Sequence, residues 1–280
     1  MTLPMSRSDG PGRMPGWPDV LALARHAESA GLDSVWVCDH LLSEPADQPP
    51  EGVLEAWTVL SALAASTRRV TVGTLVTCVS FRHPALLAKM AATVDAISGG
   101  RLVLGLGAGQ PGVEYTAFGF PDDHRAARFA EALRIVAALL GGDTVTVSGR
   151  YHEMRDASLL PAPDRRIPLL VAGRGPRTLR LTARHAAAWN TAWYGPPDDR
   201  LRARLAAMSR ALAAEGRDRR SLYVTVGMSV PDADRAGVGD LARVIDRYAA
   251  LGIDELIVGL SPRTGRSVDR LVRALTLRAT

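Results

Sequence analysis

Several features are scarce in this chain of 280 residues, and each scarcity excludes a class of protein. It has two cysteines, Cys38 and Cys78, and no CxxC pair, which excludes a disulfide framework and a cysteine-based metal centre. No run of about eighteen apolar residues occurs, and the first residues lack a charged stretch followed by an apolar one. We therefore expect no membrane span, no secretory leader, and a cytoplasmic protein with reduced thiols.

Lysine is almost absent. Lys89 is the single lysine, so arginine supplies nearly all of the positive charge behind the net charge of +5. The arginines are scattered over predicted helices and form no basic stripe with interleaved aromatic residues, so we expect no nucleic-acid partner. The histidines have no metal-ligand spacing either, and we predict no metal site.

Short β-branched runs alternate with helical patterns along the chain, which is typical of βα units around a buried parallel sheet. Strands are predicted near 33–38, 70–76, 102–106, 168–172, 187–192, 222–228 and 254–259. Helices are predicted near 18–30, 53–66, 84–98, 124–140, 176–186, 198–215, 239–251 and 266–278. Eight repeats without a break in composition favour a (β/α)8 TIM barrel, with 1–280 as one domain, over a doubly wound sheet.

Two segments depart from the regular alternation. For the first strand only Leu3, Pro4 and Met5 remain, so either the sequence lacks part of this strand or the barrel closes with a short one. The segment 143–153 alternates and turns at Ser148-Gly149, which predicts a small surface hairpin inserted between two barrel units.

Barrel enzymes carry their reactive groups on the loops that follow the strands. His40, after the second strand, is the best acid–base candidate, because imidazole titrates near neutrality and the adjacent Asp39 would orient or charge it. The alternative is a histidine that caps the next loop. Arg82, after the third strand, pairs either with an anionic substrate or with a core carboxylate, and Trp193 is expected to line a substrate pocket.

Two glycine-rich loops follow later strands. The segment 105–109 is a bare GxGxG without the Lys-Ser/Thr of a P-loop, and we expect its glycines to let a flat ring approach the backbone. In 172–177 a strand ends, two glycines expose N–H groups and Pro176 begins a helix beside Arg174 and Arg177. This pattern predicts an anion site for a cofactor phosphate, with a simple tight turn as the alternative.

Three segments resemble a known family. The runs ARHAESAGLDSVWVCDHL (24–41), VGTLVTCVSFRHPALLAKMAATVDAISGGRLVLGLGAG (72–109) and PLLVAGRGPRTLRLTARHAAAWN (168–190) resemble the luciferase-like monooxygenase superfamily, particularly its F420-dependent oxidoreductase branch. The likeness covers roughly 24–260. It implies a barrel that binds the deazaflavin F420, or alternatively FMN, over the strand ends, with the ring inward and the phosphate outward.

The resemblance also implies roles for particular residues. Asp39 and His40 would lie beside the ring and the substrate, with His40 as proton donor or acceptor. The Leu75-Val76 bond would be a non-prolyl cis peptide that forms a bulge behind the ring. The implied cofactor-binding set is Leu75, Val76, Thr77, Gly107, Ala108, Gly109, Gln110, Ala172, Gly173, Arg174 and Gly175.

The chain departs from the family pattern at two places. Gln110-Pro111-Gly112 stands where relatives often have an acidic or aromatic residue, so a family-type catalytic carboxylate is absent there. Glu114, a few residues on, is expected to cap or pack. Ala187 and Ala188 replace an Asp and a Gly, and this weakens the transfer of binding properties to this chain.

The implied reaction is hydride transfer between the deazaflavin and a small organic substrate, either as reduction of an activated C=C or C=N or as alcohol oxidation. An FMN-dependent monooxygenase and a non-catalytic flavin- or ligand-binding barrel are the alternatives. A homodimer is expected, because the family commonly dimerises and the helix at 53–66 is apolar enough to pack on a partner. Substrate identity is expected to reside in the loops 6–17, 43–52, 110–123 and 193–198.

Overall fold

The computed structural model describes residues 1–10, 12–45 and 49–278. Two loops with predicted substrate contacts, 6–17 and 43–52, include residues 11 and 46–48, which lie outside these ranges. The fold of the described residues is a parallel-stranded barrel surrounded by helices, so the predicted barrel is confirmed.

The strands of the described residues include every strand predicted between 33 and 259, with bounds within two residues of the prediction. Neighbouring barrel strands follow chain order, β1-β4-β6-β9-β10-β11-β12, and β5 adds to β6. In chain order the strands are β1 Ser34–Val37, β2 Leu42–Ser43, β3 Glu51–Gly52, β4 Thr71–Thr74, β5 Thr77–Cys78, β6 Leu102–Gly107, β7 Val145–Ser148, β8 Glu153–Ala157, β9 Leu169–Ala172, β10 Ala188–Tyr194, β11 Tyr223–Val230 and β12 Glu255–Leu260.

The helices also follow the prediction, with one addition, the short α4. They are α1 Trp17–Ser29, α2 Ala56–Ser66, α3 Pro84–Ser98, α4 Val113–Phe118, α5 Arg125–Leu140, α6 Pro176–His185, α7 Asp199–Ala214, α8 Val238–Ala249 and α9 Gly265–Arg278; 3-10 turns lie at Arg7–Asp9, Val79–Phe81 and Arg219–Ser221. Sequence signals explain the bounds of α3: Pro84 begins it, the His83 ring caps the Ala85 N–H, and Gly99 ends it at φ 67°.

Residues 1–3 close the barrel. The Thr2 N–H donates to the Val258 carbonyl at 3.0 Å, and the Leu3 N–H donates to the Trp36 carbonyl at 2.8 Å. A parallel bridge pairs Thr2 with Trp36. The predicted short first strand therefore exists as a stub between β1 and β12, but it lies at residues 1–3, earlier than the Leu3–Met5 segment that the sequence indicated.

Large and small residues pack together inside the barrel. Trp36, Leu170, Ala188 and Ile257 are buried together in its interior. Gly73 makes room for Trp36, because a Cβ at Gly73 would lie 2.5 Å from the indole. Ala188 thus belongs to the core, and Ala187 precedes the amino end of β10. Neither alanine lies at the carboxyl end of β10, and their effect on cofactor binding stays a prediction.

The predicted hairpin is confirmed between α5 and β9, and its second strand runs on to residue 157. Strands β7 and β8 pair antiparallel. The Glu131 carboxylate of α5 accepts the N–H groups of Arg150, Tyr151 and His152 at 3.1, 3.0 and 2.7 Å. The Glu131 carboxylate therefore holds the turn of the hairpin against α5.

Candidate active site

The carboxyl ends of the parallel strands meet at one rim, which brings together residues that are far apart in sequence. At this rim β4 ends at Thr74, and the Leu75-Val76 peptide bond is cis, as the resemblance implied. The chain resumes pairing as β5, where Thr77 lies opposite Leu106. The half-buried Leu75 and Val76 therefore form a bulge at the barrel mouth.

The glycines of β6 and of the loop after it pack closely against the bulge and its neighbours. A Cβ at Gly105 would lie 1.9 Å from the Thr74 carbonyl oxygen, and one at Gly107 would lie 2.6 Å from a Val76 methyl carbon. At Gly109, with φ 74°, a Cβ would meet the Tyr115 hydroxyl at 2.0 Å. Protein atoms therefore already occupy the side-chain space of each of these glycines, and the approach of a flat ring to this backbone stays a prediction.

Thr77 lies behind the bulge. Its side chain is fully buried and donates to the Thr74 hydroxyl at 3.0 Å, which in turn donates to the Gly105 carbonyl at 2.8 Å. Of the predicted contacts at the bulge, Leu75 and Val76 reach the mouth, whereas the Thr77 side chain supports the wall. The predicted contacts on the next loop, Ala108 and Gly109, are half-buried and Gln110 is exposed.

Asp39 is held behind the rim by an ion-pair network. Its Oδ2 accepts from Arg82 Nη1 at 2.6 Å and from the Cys78 N–H at 2.9 Å, while its Oδ1 accepts from Arg82 Nη2 at 3.0 Å. Arg82 also pairs with Glu55 at 2.5 Å. Of the two alternatives for Arg82, pairing with a core carboxylate is the one present. Its guanidinium is occupied by Asp39 and Glu55 and is not free for the predicted substrate contact.

His40 takes its partner from a different part of the chain. Its Nδ1 lies 3.0 Å from Glu114 Oε1, and Glu114 Oε2 accepts the N–H groups of Leu41 and Leu42 at 2.8 and 3.3 Å. Asp39 contacts Arg82 instead, so the expectation that Asp39 orients His40 was wrong. The alternative, that its charge acts on the imidazole, holds, because the Asp39 carboxylate helps to raise the pKa of His40. Glu114 does more than cap or pack: it is the carboxylate that fixes the imidazole.

The two members of this pair differ in exposure. The Glu114 side chain is 6% exposed, whereas the His40 side chain is 46% exposed at the rim. The hydrogen bond from Glu114 raises the pKa of His40 above its ordinary value, although partial burial opposes the shift. Burial alone would raise the pKa of Glu114, but the hydrogen bonds from His40 and the backbone hold it below its ordinary value. The arrangement favours an imidazolium beside a carboxylate.

On the β9 side of the rim, Ala172, Gly173, Arg174 and Gly175 lead into α6, whose first residue is Pro176. In the described chain Arg174 and Arg177 are exposed and neither forms an ion pair with a carboxylate. Gly173 is packed on Thr178, since a Cβ would lie 2.4 Å from its methyl group. Both predicted features, a tight turn and a helix amino terminus beside free cations, are therefore present.

Trp193 follows β10 and is 43% exposed. Its ring lies over Gly227 of β11 and Gly259 of β12, where an added Cβ would lie 2.7 and 3.2 Å from ring carbons. The predicted pocket residue thus reaches the mouth from the opposite side of the barrel to the bulge. Its preceding bond, Ala192-Trp193, is also cis, which the sequence did not indicate.

The described residues contain neither a cluster of metal-ligating side chains nor a membrane-spanning helix. No three His, Cys, Asp or Glu side chains come together as potential metal ligands among residues 1–10, 12–45 and 49–278. Within the same ranges, none of the helices combines the length and apolar character needed to cross a bilayer.

Comparison with known proteins identifies the family. The family model described as luciferase-like monooxygenase matches residues 1–251. This chain belongs to that family. A curated relative, the F420-dependent glucose-6-phosphate dehydrogenase of Beutenbergia cavernae, is 40% identical over 170 residues, which cover 59% of this chain and 50% of the relative. The chain therefore spans about half the length of that relative.

Solved structures share the fold of this chain. An F420-dependent secondary alcohol dehydrogenase, in complex with an F420-acetone adduct, has a TM-score of 0.75 and 23% identity, covering 92% of this chain and 94% of that one. The monooxygenase RslO1 from Streptomyces bottropensis has a TM-score of 0.79 and 22% identity, covering 100% and 99%. At these identities the likeness shows the barrel fold.

Proposed function

We propose that this protein is an F420-dependent oxidoreductase that transfers a hydride between the deazaflavin and a small organic substrate. The observation that carries the proposal is the exposed His40 imidazole, held at the barrel rim by the buried Glu114 carboxylate. A positioned histidine beside a cofactor mouth is suited to moving the proton that accompanies a hydride. The name of the 40%-identical relative supports the choice of cofactor.

The rim residues fit a flat cofactor with a phosphate. Leu75 and Val76 offer an apolar bulge for one face of a ring, and the half-buried backbone at Ala108 and Gly109 lies beside it. Backbone N–H groups at the start of α6, together with Arg174, suit the phosphate. When bound, the deazaflavin supplies or accepts the hydride.

His40 has one ring nitrogen left for chemistry. Because Nδ1 is hydrogen-bonded to Glu114, Nε2 is the atom that would give a proton to the substrate or take one from it. The raised pKa of His40 favours the protonated ring, which is the form that donates. We therefore favour the reductive direction, in which an activated C=C or C=N receives the hydride on one atom and the His40 proton on the other.

A binding titration with two cofactors tests the proposal. Purified protein is titrated with F420 and separately with FMN, and tryptophan fluorescence and cofactor absorbance are followed. We expect binding of F420 at micromolar or lower concentration and no comparable binding of FMN. Selective binding of FMN would instead place the protein with FMN-dependent monooxygenases. If neither cofactor bound, the protein would not be a flavin- or deazaflavin-dependent enzyme.

We also propose a homodimer, and the cytoplasmic location stays a prediction. The apolar side chains of the helix predicted at 53–66 face the protomer's own core, where Trp57, Leu60 and Leu63 are buried. On the neighbouring α3, Leu86 is 55% exposed and Ile97 is 47% exposed. An exposed apolar face on α3 therefore supports the dimer better than α2 does.

Light scattering on the purified protein measures the oligomeric state. We expect a mass of about twice the 29.8 kDa of one chain. Leu86→Glu combined with Ile97→Glu should give monomers, because two charges would be buried in the interface. Met14→Glu, at another exposed apolar position, is the control and should stay dimeric. A monomeric wild-type protein would contradict the proposal.

A further inference from the structure

We infer that Trp193 is a fixed aromatic platform for the substrate, and that this substrate presents a planar, conjugated face to the ring. The inference rests on the proposed function for the place of the cofactor. The inference goes beyond the proposed function, because it places the substrate in the sector of the mouth opposite the bulge and names the chemical class that this sector accepts.

Two glycines fix the indole. Gly227 and Gly259 stand on adjacent strands, β11 and β12, and the Trp193 ring lies against both. A side chain at either position would intrude on the ring, at 2.7 Å from Gly227 and 3.2 Å from Gly259. The chain therefore leaves two neighbouring side-chain positions empty to seat one aromatic ring, as close packing requires.

Part of the Trp193 side chain is open to solvent. Trp193 is 43% exposed, and among described residues its ring takes part in no aromatic pair or cation-π contact. The remaining tryptophans of the barrel strands, Trp36 and Trp189, are at most 1% exposed. An immobilised aromatic face open at the rim is the surface on which a flat molecule stacks.

The order of the strands places this face in the substrate sector. The proposed cofactor contacts follow β4, β6 and β9, which are consecutive in the sheet. The Trp193 ring lies on β11 and β12, and β12 returns through residues 1–3 to β1, which carries His40 at its end. The sector between Trp193 and His40 is thus the part of the rim that the cofactor contacts leave open.

Calorimetric titration with two probes tests the inference. The probes are 2-naphthol, which is planar and neutral, and glucose 6-phosphate, and both are titrated with and without F420. We expect Trp193→Ala to leave glucose 6-phosphate binding unchanged, because that probe has no planar, conjugated face to stack on the ring. Trp193→Ala should weaken naphthol binding by about tenfold and Trp193→Phe by no more than about twofold, in keeping with the strength of aromatic stacking.

Glycine variants separate the position of the ring from its presence. Gly227→Ala keeps the indole but displaces it, so naphthol binding should weaken nearly as much as in Trp193→Ala. Gly265→Ala is the matched control, because a Cβ there meets nothing within 4 Å, and it should bind like the wild type.

The outcomes distinguish this inference from the proposed function. Unchanged naphthol binding in Trp193→Ala, or equal losses for naphthol and glucose 6-phosphate in that variant, would overturn the platform. Failure of F420 to bind would overturn the proposed function, and the difference between wild type and Trp193→Ala without F420 would still decide whether Trp193 is a platform. F420 affinity should be unchanged in Gly227→Ala, because that position is outside the cofactor contacts.

Discussion

Asp39 and His40 are adjacent in the chain, yet they belong to two regions with opposite character. Asp39 lies behind the rim, where its carboxylate is shared with Arg82 and the Cys78 N–H and has no exposure at all. His40 lies at the rim, where Glu114 holds one side of the ring and the other side is open. Asp39 therefore links β1 to the segment that carries Cys78 and Arg82, whereas Glu114 holds an imidazole that is open to the rim.

The difference in burial determines how the two carboxylates contribute. Burial raises the pKa of Asp39, and the Arg82 guanidinium and the Cys78 N–H oppose that shift. A buried ion pair of this kind contributes little net stability when intact, but removing one partner leaves the other charge buried and uncompensated. Glu114 holds an imidazole, a group that ordinarily changes its charge near neutral pH, so we expect the loss of Glu114 to affect reactivity more than stability.

The largest expected effect is on stability, from Asp39→Ala. This change leaves Arg82, which is 11% exposed, with Glu55 as its remaining carboxylate partner. We expect the free energy of unfolding to fall by about 3 kcal/mol, because a buried guanidinium loses its two-point partner. Urea unfolding followed by circular dichroism measures the loss.

The matched control for Asp39→Ala is Asp123→Ala, which removes an exposed carboxylate from its ion pair with Arg128. Exposed pairs contribute about 0–1 kcal/mol, so this variant should unfold close to the wild type. Equal losses in the two variants would mean that burial does not separate the Asp39 network from a surface pair.

The next effect is on catalysis, from His40→Ala. We expect kcat with F420 and a substrate to fall by at least about a hundredfold, since a positioned general acid or base contributes on that scale. The free energy of unfolding should change far less than in Asp39→Ala, because His40 is half exposed. His124→Ala, at an exposed position, serves as the control and should keep full turnover. Full turnover in His40→Ala would remove its role in proton transfer.

Most of the fold was predictable because it depends on local pattern. Buried β-branched runs, helical periodicity and glycine or proline stops recur in every βα unit, and their bounds came out within a few residues. The short α4 was not predicted, since six residues between Gly112 and Gly119 are too few for a periodicity to show. The stub at residues 1–3 is recognisable as a strand by its hydrogen bonds to β1 and β12, which are contacts distant in sequence.

The sequence identified several residues of the candidate site, but it did not predict which of them are in contact. The positions of His40, Leu75, Val76 and Trp193 at the rim follow from strand ends. The partner of His40 did not, because adjacent residues at a strand end point to opposite sides, which sends Asp39 behind the rim and His40 to the mouth. Glu114 comes from a helix seventy-four positions away, and the distance between them exists only in the folded chain.

The smallest and most specific effect is expected from Glu114→Gln, which keeps the shape of the side chain and removes its charge. The pKa of His40 should fall towards its ordinary value, because the carboxylate hydrogen bond that raises it is lost. We expect about a tenfold lower kcat and an alkaline limb of the pH–rate profile that moves to lower pH. NMR titration of the His40 ring measures the same shift without turnover.

The sign of the linked stability change follows from the two shifts. The folded pKa of His40 is raised, so its contribution is complete below the unfolded value of about 6.5 and is lost as pH rises through the folded pKa. The folded pKa of Glu114 is lowered, so its contribution is present above about 4.5 and is lost as pH falls through the folded pKa. Glu114→Gln should therefore lose most stability between these two values.

Glu44→Gln is the control, since Glu44 caps the Val113 N–H at 2.9 Å without forming a hydrogen bond to His40. An unshifted His40 titration in Glu114→Gln would show that the pair seen at the rim does not control the imidazole.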